Sequence, residues 1–289
     1  MIAESSPASP PALRSTRTVR RLEPTRGFAG VDLHELWSFR ELLYYLVWRD
    51  VKARYKQTYL GSFWAIFKPF VTMVMMSVIF GGLVGIKPGN GVPYPLFVYT
   101  GVLVWTYFSS AATNASGALL ANASLLSKAY FPRLHAPLAA AVAPLVDFVL
   151  AFVVVLGLFA YYGVAPSWHI AFLPFILLLA IAASLVIGLW LAGLTVRYRD
   201  IPFALPFVLQ IWMYATPVIY PASLVPGRFR WLIALNPLTG VVEASRWAVL
   251  GGSPPSALTL AASVGIVTLT LVGGVFVFRR SERTFADRL

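Results

Sequence analysis

The sequence predicts an all-α integral membrane protein of six transmembrane helices, with an N-terminal amphipathic interfacial helix and a re-entrant helical element between spans five and six. Three observations carry that expectation. Of 289 residues, 58% are apolar and 12% charged, with a mean hydropathy of +0.75, whereas an average soluble chain carries about a quarter charged residues. A domain of this size has too little interior to hide so much hydrocarbon from water, which excludes a water-soluble enzyme. Six long apolar segments recur along the chain, and the cations gather at their ends. That placement reads a net charge of +12 as a membrane-orientation signal and not as a nucleic-acid footprint.

The elements follow in order. Residues 1–32 are rich in Ser, Pro and Arg and lack the apolar core of a secretory signal, so they are expected to be a disordered cytosolic tail. Residues 33–60 are expected to form the interfacial helix. Within them Ser38, Glu41, Tyr45, Arg49, Lys52 and Lys56 recur at steps of three and four as a polar stripe, with Leu36, Phe39, Leu43, Leu46 and Val47 on the opposite face. Asp50 and Arg54 interrupt the apolar face, but at i and i+4 they are expected to pair. Gly61 permits the turn into a six-span domain over residues 61–280, and residues 281–289 form a cytosolic tail. The spans are Phe63–Ile86, Pro95–Leu119, Leu138–Tyr162, Ile170–Val196, Phe203–Tyr220 and Ala257–Phe278. Each covers roughly 30 Å of hydrocarbon at about 1.5 Å per residue, the fifth barely.

The loops orient these spans. Eighteen Lys and Arg fall on one side: ten before residue 63, then Lys128, Arg133, Arg197, Arg199 and four after residue 278. Lys87, Arg228, Arg230 and Arg246 fall on the other, so both termini are expected in the cytosol. The further apolar stretch Trp231–Leu250 is not read as a seventh crossing. It contains Asn236, Pro237, Glu243 and Arg246, and a seventh span would put the arginine-rich tail outside. A re-entrant or interfacial helical pair is expected there, since irregular backbone at membrane depth is tolerated where protein buries it.

Chemistry-bearing patterns are sparse. There is no Cys, and His34, His135 and His169 are too scattered to suggest a metal site. No G-x-x-x-x-G-K-[ST] phosphate loop occurs, so this chain is not expected to hydrolyse a nucleotide or to hold a cofactor itself. Asp147 alone among the acids sits deep in a span. It is read either as a structural acid, neutral or lysine-paired, or as part of a substrate path or proton relay. Lys68, next to Pro69, either faces a polar conduit or snorkels to the headgroups. Gly81 and Gly85 make a G-x-x-x-G spacing that permits close helix approach or a loose helix end. Most tryptophans read as an interfacial belt, a minority as a surface along which sugar rings slide. The sequons at Asn114 and Asn122 fall in a span and a cytosolic loop and carry no glycan.

Four pieces then resemble one family, in the same order. Leu42–Ile66, LLYYLVWRDVKARYKQTYLGSFWAI, is similar to the start of the ABC-2 type permeases that export polysaccharides: a helix ending R-D-hydrophobic-K-x-R-Y, then Y-L-G-x-x-W. The others are NASLLSKAYFPRLHAPL (Asn122–Leu138), VRYRDI (Val196–Ile201), and QIWMYATPVIYP (Gln210–Pro221) followed by NPL (Asn236–Leu238). The resemblance covers about residues 33 to 280.

It implies a bacterial inner-membrane subunit that pairs with a second copy of itself and with two copies of a separate ATPase, which holds the ATP and Mg. The implied substrate is a lipid-linked polysaccharide such as O-antigen, teichoic acid or cell-wall galactan. By the same resemblance Ser127, Lys128, Tyr130, Phe131, Pro132 and Arg133 belong to a cytosolic helix that docks on the ATPase, with Arg199 and Asp200 as a second contact. Arg49, Asp50, Lys52, Arg54, Tyr55 and Lys56 form the gating end of the entrance helix, where basic residues attract the carrier phosphate. Spans one and five line the conduit, with Trp64, Lys68, Phe70, Trp212 and Tyr214 toward substrate. Three rival readings stand beside this one. An ABC-2 permease for a drug or small lipid would not be expected to show the Arg49–Tyr55 pattern. A proton-coupled secondary transporter has only Asp147 to rest on. A membrane transferase needs a His or carboxylate cluster that the sequence lacks.

Overall fold

A computed structural model describes residues 33–56, 61–89, 91–126, 132–198 and 200–285, and the described residues contain helices and no strand. The expected tails lie largely outside them. Helices α1 (Leu33–Ser38) and α2 (Arg40–Tyr55) precede α3 (Gly61–Met76), which runs on as a π-helical turn over Ser77–Leu83. Then come α4 (Tyr94–Ala121), α5 (Ala123–Leu126), α6 (His135–Val142), α7 (Leu145–Tyr162), α8 (Leu173–Arg197), α9 (Ile201–Ala215), α10 (Arg230–Leu235), α11 (Pro237–Leu250) and α12 (Ala257–Phe285). Five stretches are long and apolar enough to cross a membrane: Gly61–Leu83, Tyr94–Ala121, His135–Tyr162, Trp168–Arg197 and Ala257–Ser281.

The fifth expected span in chain order differs. Expected over Phe203–Tyr220, it is helical only over Ile201–Ala215, about 22 Å at helical rise and short of the roughly 30 Å core. The cause is Pro217, whose ring drives the preceding residue out of the helical region, and Thr216 is accordingly extended at φ −96°, ψ 142°. Pro237 acts likewise on Asn236, at φ −74°, ψ 114°, and splits the Trp231–Leu250 stretch into α10 and α11, each too short to cross. Between α6 and α7 the chain breaks at Ala143–Pro144, where the proline ring has no N–H for the helical ladder.

The core is built around α4. Leu96, Val98, Tyr99, Ala111, Ala112, Ala115 and Leu119 are all fully buried. Small residues let helices approach closely without side-chain bulk between them: a Cβ on Gly188 of α8 would overlap Ala115 of α4. Three α4 tyrosines spend their buried hydroxyls on neighbouring carbonyls. Tyr94 donates to Ile219 at 2.7 Å, Tyr99 to Ala151 at 2.8 Å and Tyr107 to Ala141 at 3.1 Å. By contrast α3 is a peripheral helix on which Phe63, Trp64, Phe67 and Phe70 are exposed. Of its glycines, Gly81 is the closely packed one, since a Cβ there would lie 3.0 Å from the Tyr94 ring.

The polar stripe expected on α2 is exposed throughout, from Ser38 to Lys56. Its opposite face is covered by protein: Leu46 is buried with Ala139, and Phe39, Leu42, Leu43 and Val47 pack beside Leu125 and Leu126 of α5. Helix α2 is thus seated on the segment that flanks residues 127–131.

Candidate functional site

The C-terminal end of α2 is fastened to the membrane-depth helices by two polar contacts. Arg54 forms an ion pair with Asp147, and the Tyr55 hydroxyl donates to the other oxygen of the same carboxylate. Asp147 lies in the first turn of α7, just after the Pro144 break, where the helix N-terminus favours an acid. Burial, then the hydrogen bond and charge of Asp147, push the Tyr55 phenol up, so it stays a neutral donor. Asp147 is thus paired with an arginine from outside the span, where the sequence suggested a neutral or lysine-paired acid. The expected Asp50–Arg54 pair is corrected too. Asp50 accepts from its neighbour Arg49 at 2.7 Å, and Arg54 turns inward to Asp147. Arg49 also donates to Asn122 Oδ1 at 2.6 Å, and Asn122 is the buried C-cap of α4, with its amide on Ala118 O at 2.8 Å. Helix α2 is thus tied to both α4 and α7.

A second set of polar residues holds the irregular end of α9. Arg246, read from sequence as an outer loop cation, is 8% exposed and donates to Phe97 O at 3.3 Å, to Pro217 O at 2.6 Å and to Val218 O. Its guanidinium lies 3.7 Å from the Phe97 ring centroid. Asn236 caps α11 by accepting from Leu238 N at 3.1 Å and donates to Thr216 Oγ1 at 2.8 Å. Arg246 thereby satisfies two carbonyls of the non-helical run after Thr216, and Asn236 holds the Thr216 hydroxyl, as irregular backbone between apolar helices requires. Glu243 lines a cleft of about 440 Å³ with Arg230, Thr239 and Arg246.

Beside the α2 latch opens a cleft of about 510 Å³ between α3, α4 and α7. Arg54, Trp64, Lys68 and Asp147 line it, facing Thr106, Ser109, Ser110, Thr113 and Asn114 of α4. Those five α4 residues recur at steps of three and four and form one polar face within a buried helix, a periodicity legible in the sequence but passed over there. Of the expected path residues, Trp64 and Lys68 share this cleft, while Phe70, Trp212 and Tyr214 are not among its walls. Phe70 and Tyr214 are exposed, and Trp212 packs edge-on against Trp105 and Phe108 at 6.3 and 5.8 Å.

The expected ATPase-docking residues Ser127, Lys128, Tyr130 and Phe131 lie outside the described residues, as does Arg199. Of the rest, Pro132 accepts from His135 N at 3.0 Å before α6, Arg133 is half-buried, and Asp200 is exposed at the start of α9.

Helices long and apolar enough to cross a membrane, a polar cleft between them and polar staples for broken helices define a multi-pass membrane protein. Residues 41–250 match the family described as ABC-2 type transporter, and the chain belongs to that family. It is 30% identical over 261 residues to an O-antigen export system permease protein of Myxococcus xanthus, covering 89% of this chain and 98% of the relative. A Klebsiella pneumoniae protein of the same description is 27% identical over 254 residues, 86% of this chain and 95% of its own. A polysialic acid transport protein of Escherichia coli is 25% identical over 237 residues, 81% and 91% of the two chains. The family is one of transport permeases, so the chain is a transport subunit and not itself an enzyme.

Proposed function

We propose that this chain is the membrane-spanning subunit of an ABC exporter that moves a lipid-linked polysaccharide across the bacterial inner membrane, using ATP hydrolysed by a separate subunit. The observation that carries this reading is the near full-length similarity to permeases named for O-antigen export. The cleft supports it, because a lysine and a row of hydroxyls facing lipid would be expensive, whereas facing an aqueous conduit or a second protomer they are solvated. The drug-permease and secondary-transporter readings lose ground: the relatives similar over nine-tenths or more of their own length are named for O-antigen export and polysialic acid transport, and Asp147 is engaged by Arg54 and Tyr55.

In this reading two copies pair with α3 and α9 toward a shared conduit, and α9 with its buried tail completes the sixth crossing. Helices α10 and α11 form the re-entrant outer element, and α2 lies in the cytoplasmic interface with its exposed Arg49, Lys52 and Lys56 toward the anionic carrier. ATP binding closes two ATPase copies, and the segment Ser127–Arg133 moves with them. Because α2 packs on α5 and α6 to either side of that segment, the stroke reaches the entrance through Leu46, Arg49 and Arg54. Both termini are cytosolic.

The test is deletion of the gene followed by lipid analysis. Polyprenyl-linked glycan stranded inside the cell is the expected result, and an unchanged glycolipid pool with normal surface polymer would refute export.

A further inference from the structure

The cleft between α3, α4 and α7 carries more polar side chain than its neighbours consume. The Lys68 ammonium, seven residues into α3, has no ion-pair or hydrogen-bond partner among the described residues. The other charge there, Asp147, is already matched by Arg54, so Lys68 leaves the cleft with an excess positive charge. Across from it, the hydroxyls of Thr106, Ser109 and Ser110 and the amide of Asn114 likewise have no partner among the described residues, while Thr113 donates to Ser109 O at 2.8 Å. These groups repeat over about two turns of α4, a wall of roughly 12 Å. Lys68 is exposed on α3, and a neutral sugar would satisfy the hydroxyls across the cleft but leave its charge uncompensated. A phosphate or diphosphate satisfies both, accepting from the ammonium and from several hydroxyls at once. Beside the cation, Phe63, Trp64 and Phe67 make an exposed aromatic cluster, Phe63 and Phe67 stacked at 4.9 Å, suited to an apolar group attached to the anion.

We infer that the cleft is an anion site for a phosphate or diphosphate head attached to a lipid, with Lys68 as its charge and Thr106, Ser109, Ser110 and Asn114 as its hydrogen-bonding wall. The lipid source of the head rests on the export reading, and the anion chemistry rests on the cleft alone.

The test uses the complex with its ATPase in phosphatidylcholine nanodiscs, with radiolabelled farnesyl diphosphate as the probe. Binding is measured for each variant with the ATPase nucleotide sites filled by a saturating non-hydrolysable ATP analogue, which removes any contribution of those sites. The expected result is saturable binding that Lys68→Gln weakens about tenfold or more, given one lost charged hydrogen bond. Lys68→Arg retains it, the double change Ser109→Ala with Ser110→Ala weakens it severalfold, and farnesol does not compete. Inorganic pyrophosphate competing as well as the lipid form would assign the site to the free anion, and weak competition assigns it to the lipid head. Equal binding by wild type and Lys68→Gln, or equal competition by farnesol, overturns the site. Failure of the export reading shows separately: if deletion strands no glycan, export falls whatever the binding result. If deletion strands glycan but Lys68→Gln exports normally, the site falls and export stands.

Discussion

Arg54 and Asp147, 93 residues apart in sequence, meet where the end of α2 crosses the start of α7, and Tyr55 closes the other side of the same carboxylate. One acid in the span thereby fixes the position of a helix that precedes all the spans. Both side chains are partly shielded, at 31% and 26% exposure. Removing either partner takes away one side of this partly shielded ion pair.

Asp147→Asn and Arg54→Gln are each expected to cost about 1–3 kcal/mol, the range for a charge-assisted hydrogen bond. Thermal unfolding of the single and double variants in nanodiscs checks this. The double variant is expected to cost clearly less than the two singles together, and strict additivity would show that the pair does not couple.

Arg246→Met is expected to destabilise by about 2–4 kcal/mol, since three backbone carbonyls lose their donor together. Arg246→Lys recovers only part of this, because an ammonium lacks the planar fork. Gly101→Ala tests the same packing from the other side: its Cβ would lie 2.6 Å from Arg246 Nη2 and 2.8 Å from Val218 O. A loss of about 1–3 kcal/mol is expected from such overpacking, read as reduced folded yield and a lower Tm.

The chain contains no cysteine, so single introduced thiols report topology without background. Lys128→Cys and Arg133→Cys are expected to react with a membrane-impermeant maleimide only in inverted vesicles, and to be protected when the partner ATPase is bound. Lys87→Cys and Arg228→Cys are expected to react in intact spheroplasts. Labelling of Lys128→Cys from outside would reverse the proposed orientation.

Much of this fold was legible in the sequence, because hydropathy and cation placement are summed over many residues and survive local exceptions. Five of the expected spans correspond to long apolar helices. What escaped was decided by single long-range contacts. Local spacing offers Asp50 to Arg54, and nothing in a sequence says that Asp147 stands closer in space. Arg246 reads as a loop cation until the carbonyls of Pro217 and Val218 converge on it. The shortened α9 was half visible in Pro217, but a helix break at membrane depth is credible only once its donors are known. The polar face of α4 obeys an ordinary helical period, yet it was masked by the strong apolar average of the segment around it.

Reconstitution tests the central claim most directly. The permease is placed in proteoliposomes with its ATPase, and a fluorescent polyprenyl-linked glycan is followed from one leaflet to the other by accessibility to a membrane-impermeant quencher. The account predicts movement that requires both subunits and hydrolysable ATP. Movement by the permease alone, driven by a proton or sodium gradient, would contradict it.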